Sequence, residues 1–221
     1  MTKEVKIEGL LDLSRTIAAA LFNGKTYPWE VLGEISLFIE KLGPQLPKDE
    51  FDNPAPGVWI AKDAKVFPSA YIGAPCIIDH EAEIRHCAFI RGSAIVGKKA
   101  VVGNSTELKN VILFDNVQVP HYNYVGDSVL GYKAHMGAGS ITSNVKMDRT
   151  PVKVLGDDVL DTNRKKFGAI LGDNVEIGCN SVLNPGTVVG KDSLVYPLSS
   201  VRVVVPENAI YKDKDHIIEK R

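Results

Sequence analysis

The sequence predicts an all-β solenoid, a parallel β-helix of hexapeptide repeats, with a small α-helical cap at its N-terminus. Three observations predict this fold class. Aliphatic residues recur at every sixth position over long stretches, small residues recur two positions before them, and the residues ahead of the first repeat follow a helical pattern. A period of six fits neither a 3.6-residue helix nor an alternating strand. It fits a chain that turns a corner after each short side.

Residues 1–56 precede the repeats and are predicted to form a helical extension and a linker. The segment YPWEVLGEISLFIEKLGP spaces its apolar residues three and four apart, with Pro28 at its start and Gly43 at its end. A second helix is predicted over about residues 11–22, and residues 46–57 form a proline-rich linker. We expect these helices to cap the open end of the β-helix, which would otherwise expose strand edges. Docking of a partner chain is the alternative role.

Residues 57–205 carry the repeats and are predicted to form the β-helix domain. Each repeat turns one aliphatic side chain inward, and the coils bury that inner face only by stacking on each other. A β-sandwich of short strands would not hold this spacing. The ladders are Ile60, Val66, Ile72, Ile78, Ile84, Ile90, Val96, Val102 and Leu108; then Tyr124, Leu130, Met136 and Thr142; then Leu171, Ile177, Leu183, Val189, Val195 and Val201.

Two interruptions of the repeat are candidate sites. The six-residue register resets between Leu108 and Tyr124, and His121 lies in that gap. Residues 143–169 form a polar, strongly basic insertion, and insertions into a solenoid commonly build its binding surface. The basic residues would suit a phosphorylated ligand, but a solvated surface loop explains them equally well. The charged tail, residues 206–221, is expected to be short helix or coil.

The composition excludes several classes of function. A net charge of −1 argues against a nucleic-acid-binding protein of the basic-patch kind. No apolar segment is long enough to span a membrane, and the first residues lack the pattern of a secretory signal. Three scattered cysteines predict neither a disulfide framework nor a CxxC metal site, which favours a reducing, cytoplasmic setting. His80 and His86 are six residues apart on neighbouring sides, so no metal site is predicted from them.

Residues 103–144, GNSTELKNVILFDNVQVPHYNYVGDSVLGYKAHMGAGSITSN, resemble a known family. They are similar to the C-terminal acetyltransferase domain of bifunctional glucosamine-1-phosphate acetyltransferase/N-acetylglucosamine-1-phosphate uridylyltransferases. The segments NVKMDRTPVKV, NRKKFGAILGDNVEIGCN and LNPGTVVG resemble the archaeal type of these sugar-1-phosphate enzymes. The similarity covers about residues 57–205 and includes both interruptions. It implies a left-handed β-helix and a homotrimer with active sites between subunits.

The resemblance also assigns roles to individual residues. The family's general base falls on His121, and imidazole suits this task because it titrates near neutral pH. The resemblance also implies cations and polar groups for a sugar phosphate on either side of His121 in the sequence. We assign His135 a binding role although the family has asparagine there. The substrate-binding set is Arg91, Lys109, Tyr124, His135, Asn144 and Lys153. The set near acetyl-CoA is Gly137, Ala138, Gly139, Asn144 and Cys179, the last replacing a serine of the family.

The resemblance implies an N-acetyltransferase that uses acetyl-CoA to acylate the 2-amino group of an amino-sugar 1-phosphate, without a metal, in nucleotide-sugar precursor synthesis. Nothing in residues 1–56 resembles the nucleotidyltransferase domain of the bifunctional enzymes, so a separate nucleotidyltransferase is a possible partner. A second hypothesis is a non-catalytic sugar-nucleotide-binding or regulatory subunit, which Cys179 and Leu198 on the cofactor side favour. A third is a zinc-dependent hydratase, which shares the fold. No membrane or nucleic-acid partner is predicted.

Overall fold

The computed structural model describes residues 5–220 and confirms the predicted β-helix. The chain coils through parallel strands that form three flat faces, and each strand pairs with the equivalent strand one coil on. The first face comprises Val58–Ala61, Cys76–Ile78, Ala94–Val96, the second halves of Glu107–Leu113 and Tyr124–Leu130, Ala169–Leu171, Thr187–Val189 and Val204–Val205.

The other two faces are built in the same way. The second face comprises Lys65–Val66, Glu83–Ile84, Val101–Asn104, Gln118–His121, His135–Met136, Glu176–Ile177, Leu194–Val195 and Ala209–Asp213. The third face comprises Tyr71–Ile72, Phe89–Ile90, the first halves of Glu107–Leu113 and Tyr124–Leu130, Ile141–Thr142, Val182–Leu183 and Ser200–Val201.

The ladder of inward side chains runs through the supposed register break without a gap. Leu108 pairs with Val125, and Leu113 pairs with Leu130. The same side is therefore five residues long, instead of six, in two successive coils. The prediction that Tyr124 belongs to the ladder was therefore wrong by one position. Val125 points inward and is fully buried, whereas Tyr124 lies on the outer surface of the third face. A shorter side keeps the stacking because the strand hydrogen bonds, not the residue count, fix the register.

One antiparallel strand is added at each end of the β-helix. Phe51–Ala55 folds back on Val58–Ala61 at the first coil, and His216–Glu219 folds back on Ala209–Asp213 at the last. The tail is thus strand, and the expectation of helix or coil there was wrong. Each added strand pairs with the outermost strand of one face, which would otherwise present free hydrogen-bonding groups.

The N-terminal segment is helical but lies along the first face instead of capping the end. It contains α-helices Ile7–Leu10 and Ile35–Leu42 and short 3₁₀ turns at Leu13–Arg15, Ala19–Phe22, Pro28–Gly33 and Gly43–Gln45. The predicted helix over residues 11–22 is thus two separate 3₁₀ turns. The ring of Phe22 packs edge-on against Phe114, with the centroids 5.9 Å apart.

An apolar outer surface explains why the segment packs there. On the first face the outward residue of each strand is apolar: Trp59, Ile77, Ile95, Ile112, Val129, Ile170, Val188 and Val204. Such a row must be removed from water, and the N-terminal segment does so. We call this surface the covered face. A Cβ at Gly43 would lie 2.4 Å from the Trp59 ring, so the glycine allows close contact.

The insertion completes this cover. Val152–Leu155 and Val159–Arg164 form an antiparallel hairpin, and the chain then rejoins the β-helix so that Val129 pairs directly with Ile170. Val152 and Val154 are fully buried. The insertion is thus partly a packing element of the β-helix. Within residues 5–220 no helix has the length and apolar character needed to cross a bilayer.

Candidate active site

His121 lies at a corner between the second and third faces. It ends its strand, and Tyr122 then turns the chain with a φ of 52°, in the left-handed region. The corner stacks on those of the adjacent coils. Tyr122 N–H donates to the Asn104 carbonyl at 2.9 Å, and Gly139 N–H donates to the His121 carbonyl at 3.0 Å. Because the His121 side chain is exposed, its imidazole can meet a bound molecule.

Four of the five residues predicted near acetyl-CoA lie in the same column, whereas the fifth, Asn144, bonds to Asp127 at the other end of the third face. Asn180 N–H donates to the Ala138 carbonyl at 2.8 Å, and Leu198 N–H donates to the Cys179 carbonyl at 2.9 Å, so these corners follow each other along the β-helix. Cys179 is exposed and unpaired. We call the column of Asn104, His121, Ala138–Gly139 and Cys179 the histidine corner. The structure therefore brings together His121 and the predicted residues Gly137, Ala138, Gly139 and Cys179.

Asn123, which the sequence reading missed, fixes the backbone of the histidine corner. Its side chain is 2% exposed, and its Oδ1 accepts the His121 N–H at 3.1 Å. Its Nδ2 donates to the carbonyls of Gly137 at 2.9 Å and Ser140 at 3.1 Å. One buried amide thus joins the candidate base to the next coil. Replacing it would leave buried backbone groups without partners.

A second polar cluster lies at the opposite end of the third face. Asp127 is 3% exposed and has a φ of 48°. Its carboxylate accepts hydrogen bonds from Lys109 Nζ at 3.2 Å, from Asn110 Nδ2 at 2.9 Å and from Asn144 Nδ2. We call Lys109, Asn110, Asp127 and Asn144 the aspartate corner. It contains two of the predicted substrate-binding residues, Lys109 and Asn144.

The third face between the two corners carries Arg91 and Tyr124. Arg91 Nη1 bonds to Glu107 Oε1 at 2.8 Å, and Glu107 is the register partner of Tyr124. A Cβ at Gly126 would lie 2.5 Å from the Tyr124 hydroxyl oxygen, so the phenol extends over this glycine toward the aspartate corner. Burial raises the pKa of Tyr124, with help from the charge of Asp127. The hydroxyl therefore remains a hydrogen-bond donor at neutral pH.

Two predicted binding residues lie elsewhere. His135 is on the second face, where its Nδ1 bonds to Glu176 Oε2 at 2.6 Å. Lys153 is in the insertion hairpin, where its Nζ pairs with Asp161 Oδ1 at 3.1 Å. Within residues 5–220 neither side chain forms a hydrogen bond or ion pair with a residue of the two corners.

The described residues contain no preformed metal centre. In the range 5–220 no group of three or more His, Cys, Asp or Glu side chains is arranged to hold a metal ion. His80 is bonded instead to Asp63 at 3.0 Å and to Glu50 at 3.2 Å, and His86 is bonded to Ser69 at 3.0 Å. Each of the two histidines is therefore bonded to its own set of neighbours.

The arrangement combines one exposed imidazole with a separate polar cluster on the same face. An imidazole at one end, and a lysine, an amide and a phenol toward the other, suit a ligand that carries both a proton donor and an anionic group. Asn123, Asp127 and Asn110 were missed because their roles depend on hydrogen bonds between coils. The sequence contained one indication of Asp127, its position three residues after Tyr124 in the segment YVGDSV.

Comparison with known proteins places the matches on the β-helix. Residues 72–189 match the family model described as the GMPPB C-terminal domain. The bifunctional protein GlmU of Methanococcus vannielii is 37% identical over 119 residues, which cover 53% of this chain and 29% of that protein. The bifunctional sugar-1-phosphate nucleotidylyltransferase/acetyltransferase of Sulfurisphaera tokodaii is 34% identical over 94 residues, covering 42% and 23%. The chain thus spans less than a third of the length of these relatives.

Solved structures were also compared. A mutant of AntD, an N-acyltransferase from Bacillus cereus in complex with dTDP-4-amino-4,6-dideoxyglucose and coenzyme A, aligns with a TM-score of 0.39 and 17% identity. That alignment covers 75% of this chain and 81% of that one. A mutant of GDP-perosamine N-acetyltransferase from Caulobacter crescentus aligns with a TM-score of 0.31 and 17% identity, covering 74% and 56%.

Proposed function

The chain belongs to the family of the GMPPB C-terminal domain, and from this premise we propose that it is a hexapeptide-repeat acyltransferase. Its reaction transfers the acetyl group of acetyl-CoA to the 2-amino group of an amino-sugar 1-phosphate. The observation that carries the proposal is the position of His121. It lies beside Gly137–Gly139 at one end of a face whose other end holds Lys109 and Asn144. The relative from Sulfurisphaera tokodaii, named a bifunctional sugar-1-phosphate nucleotidylyltransferase/acetyltransferase, supports the substrate class.

In the proposed mechanism His121 acts as the general base. An ammonium is not nucleophilic, so the sugar nitrogen attacks the thioester carbonyl as the neutral amine, and the imidazole accepts the proton that this nitrogen loses as the C–N bond forms. The C–S bond then breaks, and the thiolate of coenzyme A takes that proton from the imidazolium. The backbone N–H of Ala138 is a candidate to stabilise the oxyanion, since the N–H of Gly139 is bonded to the His121 carbonyl. The cation of Lys109, with Arg91, binds the phosphate, and the Tyr124 hydroxyl is a further donor.

We propose a homotrimer as the working form, with each site completed by a neighbouring subunit. In this proposal His135 and Lys153 contact the substrate only after the substrate or a second subunit has drawn them away from Glu176 and Asp161. A separate nucleotidyltransferase is the proposed partner that would consume the acetylated sugar phosphate. The cytoplasmic setting predicted from the cysteine content fits the use of acetyl-CoA.

The alternative is a binding or regulatory subunit that holds a sugar nucleotide without turnover. The observation that favours it is the cofactor side of the histidine corner. There Cys179 replaces the family's serine, and Leu198 beside it is 79% exposed. The zinc hydratase hypothesis has no such observation in its favour.

The test measures release of free coenzyme A from acetyl-CoA with a panel of acceptors. The panel contains glucosamine 1-phosphate, galactosamine 1-phosphate and a nucleotide-linked amino sugar. We expect turnover on a sugar 1-phosphate and a loss of about 10²- to 10⁴-fold in His121→Ala. His216→Ala is the matched control, because that histidine is 69% exposed in the tail and bonds to Asp213. Absence of turnover by the folded wild type on every acceptor contradicts the enzyme and favours the binding subunit.

A further inference from the structure

The carboxylate of Asp127 is the centre of a hydrogen-bond network, not a surface charge. It is almost completely buried and accepts bonds from Lys109, Asn110 and Asn144. A carboxylate has acceptor sites for several donors, and burial makes each such bond more costly to lose than at the surface. Two of the three donors are residues assigned to the substrate. Asp127 itself is too buried to be a main contact of a bound sugar phosphate.

The ion pair with Asp127 restricts the side chain of Lys109. A free lysine has four flexible methylenes and loses much rotamer freedom when it binds an anion. Held at 3.2 Å from Asp127 Oδ2, with 26% of its side chain exposed, Lys109 Nζ still has N–H groups left to donate. Asn144 shares the same carboxylate oxygen, so the two donors are fixed relative to each other.

The network continues into the N-terminal segment. Asn110 Nδ2 donates to Asp127 Oδ1 at 2.9 Å and also to the Leu32 carbonyl at 3.0 Å. Leu32 belongs to the 3₁₀ turn Pro28–Gly33, which packs against the strand that carries Asp127. The next residue, Gly33, lies against the guanidinium of Arg164, since a Cβ there would be 3.2 Å from Nη1. The cover of the first face therefore reaches the aspartate corner.

We propose that Asp127 is the positioning residue of the sugar-phosphate site, fixing Lys109 and Asn144 for the anion, and that Asn110 ties it to the N-terminal segment through the Leu32 carbonyl. The inference rests on the proposed function, because it assigns the aspartate corner to the sugar phosphate. It gives the N-terminal segment a role in the site, beyond covering an apolar face.

The first experiment measures binding of glucosamine 1-phosphate to the full chain by titration calorimetry. Asp127→Asn keeps the shape but removes the charge, and we expect binding to weaken about 10- to 100-fold, as for loss of hydrogen bonds to a charged group. The KM for acetyl-CoA should change less than about threefold. A general loss of structure would affect both ligands. The control is Asp215→Asn, whose carboxylate is 72% exposed in the tail.

A double-mutant cycle then tests whether Asp127 acts through Lys109. If it does, Asp127→Asn should weaken binding by a clearly smaller factor in the Lys109→Met background than in wild type, because only Asn144 is then left to position. Losses that simply add overturn the inference. Asn110→Ala keeps the charge and breaks the link to Leu32, and we expect binding to weaken about 3- to 10-fold without loss of secondary structure. If Asp127→Asn does not fold, a cycle of Asn110→Ala and Lys109→Met tests whether the network acts through Lys109.

The outcomes separate this inference from the proposed function. Binding by wild type that weakens in Asp127→Asn, without any release of coenzyme A, supports the network and contradicts the acetyltransferase. Turnover that Asp127→Asn and Asn110→Ala leave unchanged contradicts the network and leaves the acetyltransferase standing. A wild type that binds no glucosamine 1-phosphate overturns the inference.

Discussion

At the scale of single residues, buried polar side chains at the corners organise this molecule. Asn123 and Asp127 are both nearly inaccessible, and each satisfies donors or acceptors from more than one coil. The backbone of the exposed His121 is thereby fixed by a neighbour that does not itself face solvent. A fixed backbone limits the positions that the imidazole can reach.

Asp79 is a buried carboxyl that is only half satisfied, and it makes stability depend on pH. It is 1% exposed; its Oδ1 accepts the His80 N–H at 2.8 Å, but within residues 5–220 its Oδ2 has no hydrogen-bond partner. Burial raises the pKa of Asp79. The protonated form is therefore favoured by folding. The stability that protonated Asp79 contributes is fully present below its unfolded-state pKa of about 3.8. This stability is lost as pH rises through the pKa of Asp79 in the folded protein.

We predict that Asp79→Asn is more stable than wild type at pH 7.5, by about 1 kcal/mol or more, because the variant buries no charge. The difference should shrink as pH falls toward 4, where wild type is increasingly protonated. Urea unfolding of both proteins between pH 4 and 8 measures it. The control is Asp52→Asn, an exposed carboxyl, which should show no such trend. A variant that is less stable at every pH contradicts the prediction.

At the scale of elements, the N-terminal segment and the β-helix stabilise each other through the covered face. Helix Ile35–Leu42 presents Ile35 and Ile39, both fully buried, toward the β-helix, while Leu37 on its other side is 59% exposed. The Trp29 and Phe167 rings, 5.7 Å apart, pack the same interface near the end of the insertion. A short helix of eight residues has little stability of its own, so its packing decides whether it forms.

We predict that Ile39→Ala lowers the free energy of unfolding by about 2–5 kcal/mol, the usual cost of a cavity left by a buried aliphatic side chain. Leu37→Ala, on the same helix, should change it by less than about 0.5 kcal/mol. Chemical denaturation followed by circular dichroism measures both. Equal effects of the two variants would show that the helix does not pack as described.

At the scale of the whole molecule, the β-helix has one face occupied and two available. The N-terminal segment and the insertion hairpin cover the first face. The third face exposes Tyr71 and Phe89, 61% and 43% exposed, with their rings 5.5 Å apart. We therefore expect a second copy of the chain to associate through the third face, which also carries part of the candidate site.

We predict that the protein in solution has about three times the 24.1 kDa mass of one chain. Sedimentation velocity over a range of concentrations measures this mass. Phe89→Glu should shift the population toward the single chain, because it places a charge on an apolar contact. A wild type that sediments as a single chain at all concentrations contradicts the trimer.

Much of the fold could be predicted because each coil repeats the same local rule. The spacing from Ile60 to Leu108 identified the β-helix, and the resemblance around His121 identified the candidate base. The side of five residues from Leu108 to Leu113 could not be predicted, since a one-residue shortening looks like a break in the period. The partners of His135 and Lys153 were also not predictable, because Glu176 and Asp161 approach them only in the folded coil and hairpin.

The sequence by itself determined the solenoid and its inner ladders apart from Tyr124, because these depend on periodicity. His121 was singled out by the local motif around it. The sequence also contained the apolar outward row from Trp59 to Val204, although that row is recognisable only once the three faces are separated. The tertiary structure alone decided that the N-terminal segment lies along this face and reaches Asn110. It also decided that Asp127 gathers Lys109 and Asn144. These contacts join residues far apart in the chain, whose distances are fixed by the stacking of coils and not by any local preference.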